Sequence, residues 1–111
     1  MATTDADRAL VEHVLSEYAR LYPYSYGDIQ RQTVFDRAGD HYLLMSLGWD
    51  ERRVHGCLVH IDLIDGKFRI QRDGTEEGIA LDLEAAGIPK GRIVLAFRRP
   101  ESRAHTDYAV A

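Results

Sequence analysis

His41-Tyr-Leu-Leu-Met-Ser-Leu-Gly-Trp49 is followed, after a polar break, by Val54-His-Gly-Cys-Leu-Val-His-Ile-Asp-Leu-Ile64, then Asp65-Gly66-Lys67, then Phe68-Arg-Ile-Gln-Arg72. Aspartate and glycine tolerate positive φ, so an Asp-Gly pair between two apolar runs is a strong signal for a tight β-hairpin. A further extended run, Arg31 to Asp36, precedes His41 across the short break Arg37-Ala-Gly-Asp40. Four strands joined by short breaks imply an antiparallel meander. Alternation then sorts the faces. Counting apolar side chains places Leu43, Met45, Leu47 and Trp49 with Cys57, Val59, Ile61, Leu63, Phe68 and Ile70 on the core side. Tyr42, Leu44, Ser46, Leu58, His60, Asp62, Lys67, Arg69 and Gln71 fall on the reverse, a surface with more apolar content than solvent favours.

Outward from the meander, two helices are expected. Leu10, Val14, Tyr18 and Leu21, flanked by Val11, Leu15 and Tyr22, recur at the three- and four-residue spacings of a helix with one buried stripe. Thr4 caps it, Asp5 and Asp7 complement its dipole, and Pro23 ends it, leaving Tyr24 to Asp28 as a loop. After the turn Asp73-Gly-Thr75, Ile79, Ala80, Leu83 and Ala86 give a second amphipathic helix closed by Gly87. Pro89 opens a short helix through Arg92, running into an extended tail; the competing reading makes Ile93 to Phe97 a fifth strand. The fold class is therefore α+β: an N-terminal helix, a four-stranded antiparallel meander, one or two short helices and an extended C-terminal tail.

With 111 residues, 45% of them hydrophobic and 29% charged, the chain suits one domain over residues 1–111 that needs no disulfide or metal to hold its core. A single cysteine, Cys57, excludes an internal disulfide and a cysteine-based zinc site. No apolar run approaches the roughly 20 residues of a membrane span, and the start is acidic rather than signal-like, so a cytoplasmic protein is expected. A net charge of -4 argues against tight, sequence-blind DNA binding. Whatever DNA affinity exists is expected to be weak, salt-sensitive and centred on the basic tail with Arg98, Arg99 and Arg103.

Neither a phosphate loop, nor a dinucleotide-binding glycine pattern, nor a Gly-x-Ser-x-Gly elbow occurs. The most enzyme-like set is Asp40-His41 with His55, His60 and Asp62, since imidazole and carboxylate together ligate zinc or iron. His60 and Asp62 share a strand face, which keeps open a small metal-dependent hydrolase. His55 lies on the opposite alternation, Asp40 and His41 sit at a turn, and surface or hydrogen-bonded histidines are the preferred reading. Cys57 points by alternation into the core, where it packs as a small hydrophobe rather than serving as a nucleophile. Lys67 and Arg69 with Tyr42 sketch a basic, aromatic platform for bases, but the other strand aromatics fall on the core face, which favours a protein interface.

From Val34 onward the segments His41-Tyr-Leu-Leu-Met45, Gly48-Trp49, Arg53-Val-His-Gly-Cys57, His60-Ile-Asp62, Gly66-Lys67, Ile70-Gln71, Asp73-Gly-Thr-Glu76, Gly78-Ile-Ala80, Gly87-Ile-Pro-Lys90, Ile93-Val-Leu-Ala-Phe97 and Thr106-Asp-Tyr-Ala-Val-Ala111 stand in an order that resembles the XisI family, the fdxN element excision controlling factors. The departures fall at Tyr24 to Gln32 and Arg37 to Asp40, where connecting loops vary. The resemblance implies a cyanobacterial-type accessory protein that works beside a site-specific recombinase in developmentally timed DNA excision, as in heterocyst differentiation. It also implies a partner resembling XisH, which has a nuclease-like fold. It does not imply catalysis, and the residues lead to no expected cofactor or metal. Trp49 and Phe97 read as core, Gly66 and Gly74 as turn residues. The reverse sheet face, with Tyr42, Leu44, Leu58 and His60 as anchors and Lys67, Arg69 and Asp62 as the polar ring, is the expected interface with an XisH-like protein or a second copy. The competing expectation lays the tail from Arg98 to Ala111 across that face.

Overall fold

The structure is a computed structural model that describes residues 2–22 and 28–111. Along the chain run α1 (Asp5–Leu21), β1 (Asp28–Asp36), β2 (His41–Trp49), β3 (Arg53–Ile64), β4 (Lys67–Asp73), α2 (Ile79–Ala85), a 3-10 turn (Lys90–Arg92), β5 (Ile93–Leu95) and α3 (Pro100–Arg103). The sheet order is β1-β2-β3-β4-β5; the first four strands form the antiparallel meander and β5 adds in parallel beside β4. The last segment of the sheet is thus both things its sequence allowed, a 3-10 turn and then a short strand. Of the loop expected at Tyr24 to Asp28, and of Pro23 as helix terminator, only Asp28 lies within the described residues, and it opens β1.

Local chemistry sets the turns. At the β3–β4 hairpin Asp65 and Gly66 both take positive φ, 52° and 77°, the conformation a tight turn demands. At the β1–β2 turn Asp36 Oδ1 accepts from the amides of Ala38 and Gly39, while Arg37 forks onto Glu12 of α1 at 2.8 and 2.7 Å. Asp40 receives Arg8 of α1 in the same bidentate way. Two guanidinium forks therefore dock α1 against the turn end of the sheet.

Both helices lie on one face. Val11, Val14 and Leu15 of α1 and Ile79, Ala80 and Leu83 of α2 are buried in one cluster with Tyr42, Leu44, Val59, Ile61, Leu63, Phe68, Ile70, Ile88, Ile93 and Leu95. This corrects the facing of β2: Tyr42 and Leu44 are fully buried, whereas Leu43, Met45 and Leu47 are half-buried and Trp49 is 57% exposed. Register explains it. Tyr42 lies opposite Ile61 and Leu44 opposite Val59, so β2 follows the face that β3 and β4 bury. The pairing slips between Leu44 and Met45, leaving Leu58 as an extra residue on β3. That bulge reverses the alternation before it, and Cys57, opposite Met45, sits half-buried on the open side instead of in the core. Leu58 packs against the core on the helix side, where it lines a crevice of about 510 Å³ with Tyr18, Arg31 and Asp82. Phe97 is likewise outside the core, exposed beside Arg98.

The tail does not cross the open face. Ala109 bridges Val94 and donates to the carbonyl of Ile93, so the tail runs along the outer edge of β5, and Tyr108 packs on the helix-side core with its hydroxyl donating to Glu84. Lys67 Nζ donates to the carbonyl of Ala111.

Asp7 closes the N-terminal capping box, taking the Thr4 amide on Oδ2 at 3.1 Å, and the same oxygen receives Arg92 at 2.9 Å from the far end of the chain. Arg92 also donates to the carbonyl of Gly66 and stacks over Phe68. Loss of a cap costs about 1 kcal/mol and loss of a hydrogen bond to a charged group about 1.5–3 kcal/mol. Asp7→Ala is therefore expected to lower unfolding stability by roughly 2–4 kcal/mol in urea denaturation. Asp7→Asn, which can still accept from Thr4, loses about half of that.

Candidate functional site

The side of the sheet turned away from the helices is a candidate surface that its antiparallel strands build together. Its apolar part comes from β1 and β2: Val34 opposite Leu43, then Met45, Leu47 and Trp49 in alternation. Val34 is 50% exposed. Arg53, opposite Trp49, lies over the indole at 5.5 Å, which fixes the ring at the strand end. Trp49, Met45 and Arg53 are of residue types that interfaces enrich, and Leu43 and Leu47 add apolar area between them.

At the turn end the same face becomes polar. His41 lies directly opposite Asp62, and His60 is two residues before Asp62 on the same side of β3. Asp62 Oδ1 meets His41 Nδ1 at 2.6 Å and His60 Nε2 at 2.7 Å, while its other oxygen accepts from Gln71 Nε2 at 3.3 Å. The hydrogen bond to Asp62 raises the pKa of His41 above its ordinary value, with the carboxylate's charge adding to it. Asp62 is largely buried and both imidazoles are partly open to solvent.

Of the residues that the sequence marks for chemistry, His41, His60 and Asp62 come together and Asp40 and His55 do not. Asp40 turns to the helix side, where Arg8 chiefly, and Tyr42 after it, hold its carboxyl below the usual range. His55 reaches the open face through the bulge but lies opposite Leu47, away from the trio. His41 is not a turn residue but the first residue of β2. Its place opposite Asp62 is set by the β2–β3 register, bulge included, which the spacing of the two residues does not show. Cys57 Sγ donates to the carbonyl of Val59, and burial pushes its thiol pKa up, which suits packing better than nucleophilic attack.

The remaining expectations are resolved by burial and bonding. Tyr42 and Leu44 are core residues and Leu58 faces the helices, so none of the three is an outward anchor. The base-stacking platform loses Tyr42 for the same reason. His60 and Arg69 do lie on the open side, Arg69 opposite Asp62, while Lys67 is engaged with the chain terminus. Arg103 donates to the carbonyls of Arg98, Val110 and Ala96, which makes it a staple of the tail rather than a free cation; Arg98 lies over Phe97, and Arg99 occupies the N-cap position of α3 without a side-chain capping bond. Among the described residues no helix is long and apolar enough to cross a membrane.

Comparison with known proteins agrees with this architecture. Nothing matches among curated proteins. A solved XisI-like protein from Anabaena variabilis superposes with a TM-score of 0.83 at 34% identity, covering 94% of this chain and 95% of its own. A second Anabaena variabilis structure, the fdxN element excision controlling factor XisI, gives a TM-score of 0.78 at 28% identity over 94% and 95% of the two chains. The XisI protein family model matches residues 1–110, and the chain belongs to that family.

Proposed function

We propose that this protein is a non-catalytic controlling factor in the site-specific excision of a DNA element, acting in the cytoplasm by docking an XisH-like protein on its open sheet face. The observation that carries the reading is the bare face itself: four antiparallel strands covered by helices on one side only, with Val34, Leu43, Met45, Leu47 and Trp49 grouped on the other. A sheet face normally buries its large apolar side chains; when one side stays uncovered and keeps them, a partner is the usual reason. The controlling-factor role rests on similarity to the Anabaena variabilis proteins. A DNA contact plays at most an indirect part, because the net charge is -4 and Arg103, one of the three tail arginines, is tied internally.

The test pairs the purified chain with a purified XisH-like protein. Wild type is expected to bind it, and the double substitution Leu47→Glu with Trp49→Glu is expected to weaken binding at least about a hundredfold, since each central anchor contributes about 2 kcal/mol or more. Unchanged circular dichroism in the variant shows that the fold survives. Retained binding overturns the docking face. If wild type sediments as a dimer that the variant dissolves, and no XisH-like protein is captured, the face belongs to a second copy and the proposed partner is wrong.

A further inference from the structure

We propose that His41, His60 and Asp62 form a binding site for a divalent transition-metal ion, zinc or a neighbour in the first row, on the open sheet face. One ring nitrogen each of His41 and His60 and a carboxylate oxygen of Asp62 all lie within 4.8 Å of one another. They come from positions that the β2–β3 ladder fixes: a directly opposed pair, His41 and Asp62, and the next outward residue along β3, His60. A site carried on strands rather than loops holds its donors in place before the ion arrives.

The chemistry of the donors narrows the ion. Two imidazoles and one carboxylate suit zinc and its neighbours, whereas magnesium and calcium prefer oxygen donors throughout. Zinc takes nitrogen and oxygen ligands at about 2.0–2.2 Å, which at a tetrahedral angle places neighbouring donor atoms roughly 3.3–3.5 Å apart. Asp62 Oδ1 is 2.6 and 2.7 Å from the two nitrogens, so the half-exposed rings need to swing outward by under about 1 Å to admit an ion. Gln71 donates to Asp62 Oδ2 and so leaves Oδ1 directed at the imidazoles, the outer support that metal-binding carboxylates commonly have. The ion would keep at least one coordination position on the solvent side, next to Leu43, which lies opposite His60. The inference is independent of the docking reading, because ion binding belongs to the isolated chain and is measured without a partner.

The test uses EDTA-stripped, full-length protein titrated with zinc chloride against a chromophoric zinc indicator, with cobalt chloride as a spectroscopic probe. One equivalent of zinc is expected per chain, and cobalt is expected to develop visible bands of a low-coordinate nitrogen and oxygen environment. His41→Ala and His60→Ala should each weaken zinc binding by at least about tenfold, as should Gln71→Ala through its support of the carboxylate. His13→Ala, His105→Ala and Cys57→Ser should leave it unchanged. Because Asp62 is largely buried and bonded on both oxygens, its replacement could disturb the fold; the partly exposed His41 and His60 variants, checked by circular dichroism, therefore decide. Absence of stoichiometric zinc binding overturns the proposal, as does binding that survives the His41→Ala and His60→Ala double substitution. Binding lost in the Cys57→Ser variant overturns it as well.

Discussion

Leu44→Ala is expected to lower the stability of the protein by about 2–5 kcal/mol, and Leu44→Glu to leave it largely unfolded at room temperature. Leu44 has no exposed surface; it faces Val59 across the ladder and sits between the sheet and the helices. Truncation there removes its transfer free energy and leaves a cavity, because close-packed neighbours relax only partly. A carboxylate at the same place must be desolvated or protonated, and either costs free energy in a close-packed apolar cluster. Leu47→Glu is the matched substitution on the same strand but on the other face, opposite His55, and should change stability by less than about 1 kcal/mol. Urea denaturation followed by circular dichroism separates the two. If Leu47→Glu unfolds the protein and Leu44→Glu does not, the helices cover the other side of the sheet.

That pair of residues also shows where the sequence was legible and where it was not. The meander, the Asp65-Gly66 turn and the Thr4 cap each follow from a local rule, and the structure contains all of them. The helical stripe is shifted from its expected centre on Leu10, Val14, Tyr18 and Leu21: Val11, Val14 and Leu15 are buried, Leu10 and Tyr18 partly so, and Leu21 is exposed at the helix end. The facing of β2 does not follow from a local rule. Both of its faces are apolar, and the outward one, with Leu43, Met45, Leu47 and Trp49, has more hydrophobic bulk than Tyr42, Leu44 and Ser46. Period-2 alternation detects a strand but cannot choose between two greasy faces; pairing chooses, since β2 must align Tyr42 with Ile61 and Leu44 with Val59. The excess bulk that misdirects the sequence reading is the same property that suits the face for a partner.

The bulge at Leu58 hid the rest of the site. A single unpaired residue in β3 reverses the parity of everything before it, so Cys57 and His55 move to the open face while Val59 and Ile61 remain in the core. His60 and Asp62 lie after the bulge, and their shared face was correctly read from spacing alone. The proximity of His41 to Asp62 is not readable from spacing, because it depends on the β2–β3 register, with its bulge at Leu58, and on β2 beginning at His41 itself. Segment order, by contrast, is carried by many short motifs at once, which is why the family could be recognised although the facing of one strand was misread.

A methyl group at Gly48 is expected to be among the most damaging small changes in the sheet. Gly48 has a φ of +149°, and a Cβ built there lies 1.9 Å from the carbonyl oxygen of Asp28 and 2.7 Å from the Ile29 Cα. Both obstacles are backbone of β1, so no side-chain rotation relieves them. Ile29 is the register partner of Gly48, and Asp28 is that of the adjacent Trp49. Gly48→Ala must therefore push the first residues of β1 away from β2. Backbone strain of this kind costs about 1–3 kcal/mol, and with the loss of nearby ladder bonds a total of roughly 2–4 kcal/mol is expected in urea denaturation. The damage should be graded along β1. Phe35 packs against Tyr42 at 5.8 Å, and Arg37 holds the next turn to Glu12, so Val34 to Asp36 should keep their slow amide exchange while Ile29 to Arg31 lose theirs. Gly56 on β3 supplies the control: nothing lies within 4 Å of a Cβ there, and Gly56→Ala should be neutral or stabilising by up to about 1 kcal/mol through the entropy of the unfolded chain. Equal behaviour of the two alanine variants would contradict the β1–β2 register. The contrast also bears on the Gly48-Trp49 pair, since the glycine lets β1 close against β2 while the next residue, with 57% of its surface exposed, keeps its indole on the bare face. Gly48→Ala should accordingly weaken partner docking even at temperatures where the core remains folded.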